Sequence, residues 1–511
     1  MQSSNVVRSD ASAQALGRAP TASCHPPCRL RRRRGKALLL FLVALPVLLA
    51  VAGLVIDWGS MLSIQVDLRH ATDAAALAAA VDVAVGESPT TAASTSLTYV
   101  RDYNGHSDAD VAMNSPPVSG PFAGRSGFVE VVAEQQYPTK IMHLVGDFGQ
   151  TRVKTRSVAG TVPSTAGAAV VVLNPRPPAV SVGITLPISL NFPALLGGLE
   201  VLGVGPVRVN GAVLVNTSWG GVDENGNAVG TSPGPPYGIS CTPLLPLTRL
   251  RAQDVRVVGG VDDQDNYASF TTGRPNPLQA NRLPVVDPYR DLPIPSEASD
   301  PANVDSTNRG GVRVAQLPLI GPTTTLRPGV YDYIEIVSGT VVFQPGIYVI
   351  RGASPLTGLS LSIVGGMVTA DGVMFYVTAS TFDSSNGAPD LTELGTTPSA
   401  PQTLAMLPSV VVNAALPGNR LTPLTSGPFK GLLIYQRRND FRPIVITSQE
   451  LLGTTTLSGT VYSKWGHAIL AANGDYDLRF VVGSLRFASL LGITLNPSQL
   501  LPPARDVYLV E

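Results

Sequence analysis

Arg327-Pro328-Gly329-Val330-Tyr331 recurs 17 residues later as Gln344-Pro345-Gly346-Ile347-Tyr348, and each copy precedes an apolar stretch. Short strands in repeating Gly-rich rungs suit a parallel β-helix, in which each coil buries its face only against its neighbours. Alternation of the same kind runs through Val207, Val209, Gly211, Val213 and Val215, through Leu359, Leu361 and Ile363, and through Val373, Phe375 and Val377. Each run is short, bounded by Gly, Asn or Pro, and reads as a half-buried strand. A two-sheet sandwich or jelly roll competes, but would need clearer hairpin turns. If the two Pro-Gly corners are equivalent, Tyr331 and Tyr348 hold matching positions in successive rungs.

The composition agrees. The 511 residues include 50 Gly and 44 Pro, and only 14% are charged where ~25% is usual. This argues against a helical bundle or coiled coil. The 44% hydrophobic content is too high for a disordered chain, so most of the sequence can bury a core. Length alone allows two to four domains.

The formal charge of zero hides an asymmetry. Residues 1–36 carry eight basic side chains, among them Arg31, Arg32, Arg33, Arg34 and Lys36, against Asp10 alone, a net of +7; the remaining 475 residues carry −7. Twenty uncharged, mostly aliphatic residues follow, Ala37 to Ile56. At 1.5 Å per residue they span ~30 Å, the thickness of a bilayer's hydrocarbon core. A basic cluster before such a run is a membrane signal rather than a nucleic-acid arm. The positive-inside rule favours an uncleaved anchor with the arginines in the cytoplasm. A secretory signal peptide cut after Ala50-Val51-Ala52 is the main competitor. A buried core helix would have to accommodate four consecutive arginines at its mouth.

Beyond the anchor no Gly or Pro interrupts Met61 to Val85, and the alanine-rich run 71–80 favours helix, so the spanning helix continues into a stalk ended by Gly86 and Pro89. Its small-residue face, Ala71, Ala74, Ala75, Ala78 and Ala79, has two readings. It packs on its own domain, or it lets another envelope protein's helix approach closely, with Asp67 and Asp73 on the polar side.

Chemistry-bearing motifs are sparse. Cys24-His25-Pro26-Pro27-Cys28 offers at most three ligands and reads as a tail, and Cys241 has no partner across the membrane, so no disulfide framework is expected. Gly230-Thr231-Ser232-Pro233-Gly234 fits Gly-x-Ser-x-Gly, but Pro235-Pro236 follow where a nucleophile elbow needs a helix. His25, His70, His106, His143 and His467 lie far apart. Asp223-Glu224-Asn225-Gly226-Asn227 and Asp262-Asp263-Gln264-Asp265-Asn266 read as solvated turns or weak Ca²⁺ loops, without the Asp-x-Asp-x-Asp-Gly spacing. The Pro-rich stretches 275–301 and 389–428 read as surface linkers or long inserted loops.

The amino-terminal residues resemble a known family. The basic cluster, Val55-Ile56-Asp57-Trp58-Gly59, Gln65, Leu68 and Ala71-Thr72-Asp73-Ala74-Ala75-Ala76-Leu77-Ala78-Ala79-Ala80 are similar to the anchor module of TadE/TadG-like proteins of tight-adherence (Flp) pilus assembly. The likeness extends to Phe128-Val129-Glu130-Val131-Val132, to Pro138-Thr139-Lys140-Ile141-Met142, and to Val153 through Gly160. Two departures stand out. At the offset where prepilins carry Glu after the cleaved Gly, Gly35 is followed by Leu40. After Ala168-Ala169-Val170-Val171-Val172-Leu173, Asn174-Pro175-Arg176 replaces the Asp-x-Ser-x-Ser of a von Willebrand A domain. The remainder resembles β-helical domains attached to such anchors, in Val170 to Pro175, Val209 to Ser218, Asp287 to Pro295, Leu326 to Gly352, Gly372 to Thr378, Gly431 to Gln436 and Leu457 to Ser463.

The expected organisation is a basic cytoplasmic tail (1–36), a transmembrane helix (37–56), a pilin-like α+β stalk module (57–160), and a mostly-β domain (166–511), a parallel β-helix. The resemblance implies a bacterial inner-membrane, single-pass protein with its bulk outside the cytoplasm. It would be a non-enzymatic structural, assembly or adhesion component of the pilus system or envelope. Its partners would be membrane lipid and other pilus-assembly or envelope proteins, with no nucleic acid, metal or cofactor. The competing class is a membrane-tethered β-helix that binds carbohydrate or cleaves polysaccharide as a lyase or hydrolase, which needs carboxylates, alone or with Arg or Lys, converging on a groove. If the anchor is retained, mass spectrometry of the membrane-extracted protein finds a fragment containing Ala50 to Trp58. A mature terminus at Gly53 would instead establish cleavage.

Overall fold

Helix α1 runs without interruption from Lys36 to Ala84, with Pro46 inside it. The computed structural model describes residues 36–144, 150–184, 190–192, 194–230, 232–243, 249–317, 321–393, 403–405, 407–413, 418–449 and 455–511. The basic tail up to Gly35, with Cys24, His25 and Cys28, lies outside the described residues. Gly86, at φ 84°, ends the helical path where an L side chain would be strained. A second helix, α2 (Pro89–Thr98), starts with Pro at its first turn and with the Ser88 hydroxyl accepting from the Thr91 N–H at 3.1 Å.

The chain divides into two units. The first holds residues up to Ser63 together with Tyr137–Thr151. Within it the large apolar side chains from Leu38 to Ile56 stand exposed, the least of them 41% at Leu45. This stretch of α1 is long and apolar enough to cross a membrane.

Of the sheets in the second unit, residues 64–136 with 152–511, the two main ones differ in character. The smaller has the order Asp110–Asn114, Phe128–Pro138, Gln150–Pro163, Arg505–Leu509. The stalk part of α1 packs on it: Leu68, Ala71, Ala75 and Ala79 are fully buried. The Thr72 hydroxyl lies 3.3 Å from that of Thr155, and Ser157 donates to Asp73. Alanine allows this close helix–sheet approach. The last strand pairs antiparallel with residues 159–163, so the chain's end belongs to the sheet of the stalk module, although the sequence division at 160 and 166 grouped it with the larger domain.

Between the two inner strands of this sheet Arg156 joins Glu130 at 2.5 Å, and it also pairs with Glu511. The Glu130 carboxylate is fully buried. Burial alone would raise its pKa, but hydrogen bonds from Ser119, Arg156, the Val118 N–H and Asn114 together hold it down at about 2.

The larger sheet is a stack of parallel strands in three ladders. In the first, Thr340–Phe343 pairs with the start of Met367–Val377, which continues to Arg420–Pro423 and the start of Thr456–Ser489. In the second, Gly346–Ile350 pairs with the end of Met367–Val377, then Leu432–Gln436, then 460–462. In the third, Leu361–Ile363 pairs with Val410–Asn413, then Ile444–Gln449, then 468–473. One long arm of chain, 308–495, makes these coils. A second arm, 168–279, makes coils of the same kind, as where Gly197–Gly203 pairs with Tyr237–Pro243 and Val207–Val215 with Leu250–Val257. The arms meet edge to edge: 480–482 pairs with 170–172, 485–489 with 199–203, and Ile493–Leu495 with 207–209, all parallel. The chain therefore enters the stack in its middle, winds to one end, crosses over, and winds back to where it began.

Inward-facing side chains of the ladders form one continuous core. Tyr331 stacks on Tyr348 with centroids 5.8 Å apart, and Tyr348 packs against Phe375, tilted by 40°, at 5.7 Å. The repeated corners share a local device: Tyr331 donates to the Arg327 carbonyl at 2.6 Å and Tyr348 to the Gln344 carbonyl at 2.8 Å, each four residues back. Their register differs from the expected equivalence. Gly329 lies opposite Tyr348, not Gly346, and Tyr331 opposite Ile350. The aromatic rings bridge that two-residue offset.

The first Pro-rich stretch runs as a long loop without strands from residue 281 and serves as a cover, whereas the second departs from the loop reading. Residues 281–304 cross the outward face of the second ladder, and Ile294, Pro295, Ser296 and Val304 are buried. They cover an apolar outer stripe that includes Val330, Ile347, Val349, Met374, Tyr376 and Tyr435. Proline suits such a cover because it needs no ladder partner for an absent N–H. Asn216 pins it, donating to the Val285 carbonyl and accepting from the Val285 N–H, both at 2.8 Å. Within 389–428, Val410–Asn413 and Arg420–Pro423 are strands of the ladders themselves. Pro408 precedes the first and Pro423 closes the second, so neither interrupts a strand. Residues 394–402, 406 and 414–417 lie outside the described residues.

Two outcomes follow for stability. Gly346 has φ 135°, and a Cβ there would lie 2.5 Å from the Pro328 ring, so Gly346→Val should cost at least ~1 kcal/mol, read as a lowered Tm. Glu130 ionises more readily folded than its ordinary 4.5, so its contribution is complete above that value and is lost as pH falls toward about 2. Glu130→Gln should cost ~2 kcal/mol at neutral pH and flatten this acid limb, followed by hydrogen exchange across Phe128–Pro138.

Candidate functional site

The residue that ends the apolar run organises the first unit. Asp57 is 5% exposed, and its carboxylate accepts three main-chain N–H groups, from Lys140 at 2.8 Å, Ile141 at 2.9 Å and Met142 at 2.7 Å. These donors open the single 3₁₀ turn Met142–Leu144. Consecutive N–H groups at such a turn have no partner of their own, and a carboxylate is the acceptor that satisfies several at once. One helical turn earlier, Gly53 leaves room for this turn: a Cβ there would lie 2.5 Å from Ile141 Cγ2. Met142 lines a shallow apolar groove with Pro46, Val47, Ala50, Val51 and Leu54. The Asp57 step and the Pro138–Met142 segment, separate in the sequence, are thus one structural unit. Sequence reasoning missed their meeting. The available signal was Gly and Asp spaced i, i+4 at the mouth of the span.

Of the five alanines singled out, Ala71, Ala75 and Ala79 are fully buried in the second unit, and Ala74 and Ala78 are half-buried. The buried three pack within their own chain, which is the first of the two readings the sequence left open. Ala74 and Ala78, on the flank, keep partly accessible surface.

Carboxylates and cations converge at an opening where the end of α1 and the small sheet meet the larger domain. A cleft of about 280 Å³ is lined by Asp287, Arg290, Asp291 and Arg505 among prolines including Pro284 and Pro503. Asp287 is already engaged: it accepts from Tyr462 at 2.8 Å and from the Tyr289 N–H at 2.8 Å, and burial pushes its pKa up. Behind it Arg438, 1% exposed, donates to the carbonyls of Tyr289 at 2.8 Å and Leu292 at 2.9 Å, and to the Tyr462 hydroxyl at 3.2 Å. This network ties the Pro-rich cover to the ladder. Asp291 is exposed and pairs with Arg290 at 3.4 Å.

The remaining sequence candidates are locally occupied. Ser232 is exposed and its hydroxyl exchanges hydrogen bonds with Gly234 at 3.1 Å; Thr231 lies outside the described residues. Asp223 is closed on the Asn225 and Asn227 N–H groups, both at 2.8 Å. Asp263 accepts from the Asp265 N–H at 2.9 Å. Asp262 takes the Cys241 N–H at 2.6 Å and the Tyr267 hydroxyl at 3.0 Å, and burial raises its pKa to about 6. Cys241 is a buried free thiol. His106 bonds Gln135 at 2.8 Å, and His467 is buried against Ser484 at 2.9 Å. Among the described residues no three His, Cys, Asp or Glu side chains are grouped as metal ligands.

No curated protein matches this chain, and no solved structure does. One family model matches, Tad, described as "Putative Flp pilus-assembly TadE/G-like", over residues 35–82. The match covers nearly the whole of α1, including the apolar run, Gly53, Asp57 and the alanine stretch. Residues 35–82 of this chain are therefore similar to the TadE/G-like family.

Proposed function

We propose that this protein is a non-enzymatic, single-pass component of a Flp-type pilus assembly system. Its amino terminus lies in the cytoplasm of a bacterial cell, and its bulk lies beyond the inner membrane as a structural, assembly or adhesion element. The observation that carries the reading is the coincidence of the TadE/G-like match at 35–82 with a helix whose large apolar side chains from Leu38 to Ile56 stand exposed. The +7 charge before the span supports the orientation. The mostly-β domain is a parallel β-helix in this proposal, supported by three parallel ladders around one shared core. The module of α1 on its small sheet is the pilin-like stalk.

A structural role is supported by how the buried carboxylates are spent. Glu200 meets Arg486 at 2.5 Å, Asp390 takes the Tyr376 and Thr378 hydroxyls, and Glu393 meets Arg437 at 3.0 Å. The carbohydrate-active alternative has a candidate place in the cleft with Asp287, Asp291, Arg290 and Arg505.

Deleting the gene in the parent cell should abolish or sharply reduce Flp pili, counted by electron microscopy. The full chain should restore them, as should the Asp287→Asn/Asp291→Asn double variant. A chain starting after Ala84 should not. Normal piliation in the deletion strain removes the pilus reading. Rescue that depends on Asp291, together with turnover of a surface polysaccharide, establishes the enzyme instead.

A further inference from the structure

The clasp at Asp57 has a depth. Residues 37–56 fill a ~30 Å hydrocarbon layer with nothing to spare, and at ~1.5 Å per residue Leu54 and Pro46 lie roughly 3 and 15 Å inside its outer boundary. Met142 shares a groove with these residues, so the turn that bears it reaches below the level where α1 leaves the layer. We propose that residues 139–144 form a second membrane element, a turn that enters the outer leaflet beside α1 and places Met142 among lipid acyl chains. This rests on the anchor reading of α1.

An irregular turn is tolerated at that depth only if its main-chain donors are satisfied by protein, because each free one costs several kcal/mol in hydrocarbon. Asp57 supplies this, taking three successive N–H groups. Gly53 lets the turn lie against the helix. Lys140 and His143, on either side of Ile141 and Met142, are exposed, as suits side chains reaching back to the headgroups. The groove is apolar on every wall that α1 contributes, which selects acyl chains rather than water as its occupant.

The test uses the full-length protein with Cys24→Ser, Cys28→Ser and Cys241→Ala, carrying one new cysteine at Met142, Val51 or Ser107, labelled with an environment-sensitive fluorophore and reconstituted in phosphatidylcholine–phosphatidylglycerol vesicles. Lipids spin-labelled on the acyl chain should quench the label at Met142→Cys to an extent comparable with Val51→Cys, and leave the exposed Ser107→Cys unquenched. Adding Asp57→Ala should abolish quenching at position 142 while sparing position 51. If position 51 is quenched and position 142 behaves as position 107 does, the turn lies outside the bilayer and the proposal is overturned while the anchor stands. Absence of quenching at position 51 removes the anchor reading, and this proposal with it. Unchanged quenching at 142 in the Asp57→Ala background overturns the role given to Asp57.

Discussion

A parallel strand leaves both of its edges open, and a coil of such strands cannot satisfy them alone. Here that constraint is met along the chain by the next coil, and at the seam by residues roughly three hundred positions away, where 480–489 and 493–495 pair with 170–172, 199–203 and 207–209. The second arm of coils therefore has one edge that stays unpaired until the far end of the chain has been wound into place. Contacts of such separation carry a large closure entropy before they are rewarded. The seam is continuous with the core on both sides, since Val170, Leu199, Phe480 and Phe487 belong to one buried cluster.

The second consequence concerns the outward faces. In the second ladder the residues between the core positions are also apolar or aromatic: Tyr376, Tyr435 and Tyr462 follow one another at 4.9 and 5.0 Å, and Tyr289 of the cover joins them at 5.3 Å. A strand buried on both faces reads as a continuous apolar run, as Ile347-Tyr348-Val349-Ile350 and Val373 through Val377 do, so the half-buried reading of Val373, Phe375 and Val377 is corrected: both of its faces are covered. The cover in turn needs polar fixings, and Arg438, Asn216 and Asp287 provide them. Removing one partner of such a buried set is costlier than the set is worth, because a charge or amide is left without its acceptor.

At the amino-terminal end, the residues that carry the TadE/G-like resemblance are explained by packing. The alanines let α1 approach its sheet closely, Asp57 gathers three N–H groups of a turn, and Gly53 makes room for that turn.

The sequence by itself determined the helix that Gly86 ends, the strands at 207–215 and 373–377, and the rung-like repeat at Pro328-Gly329 and Pro345-Gly346. All of these rest on local periodicity, on φ preferences, or on apolar length, which neighbouring residues express. It also carried the likeness at 35–82. Only the tertiary structure decided that the Pro-rich segment at 281–304 is a cover, that the chain enters its stack in the middle, that residues 505–509 return to the stalk's sheet, and that Asp57 meets residues 140–142. Each of these is a pairing between distant segments whose own composition names no partner. A hydrogen-bond donor or an exposed apolar edge states a need, and the folded chain alone determines which segment meets it.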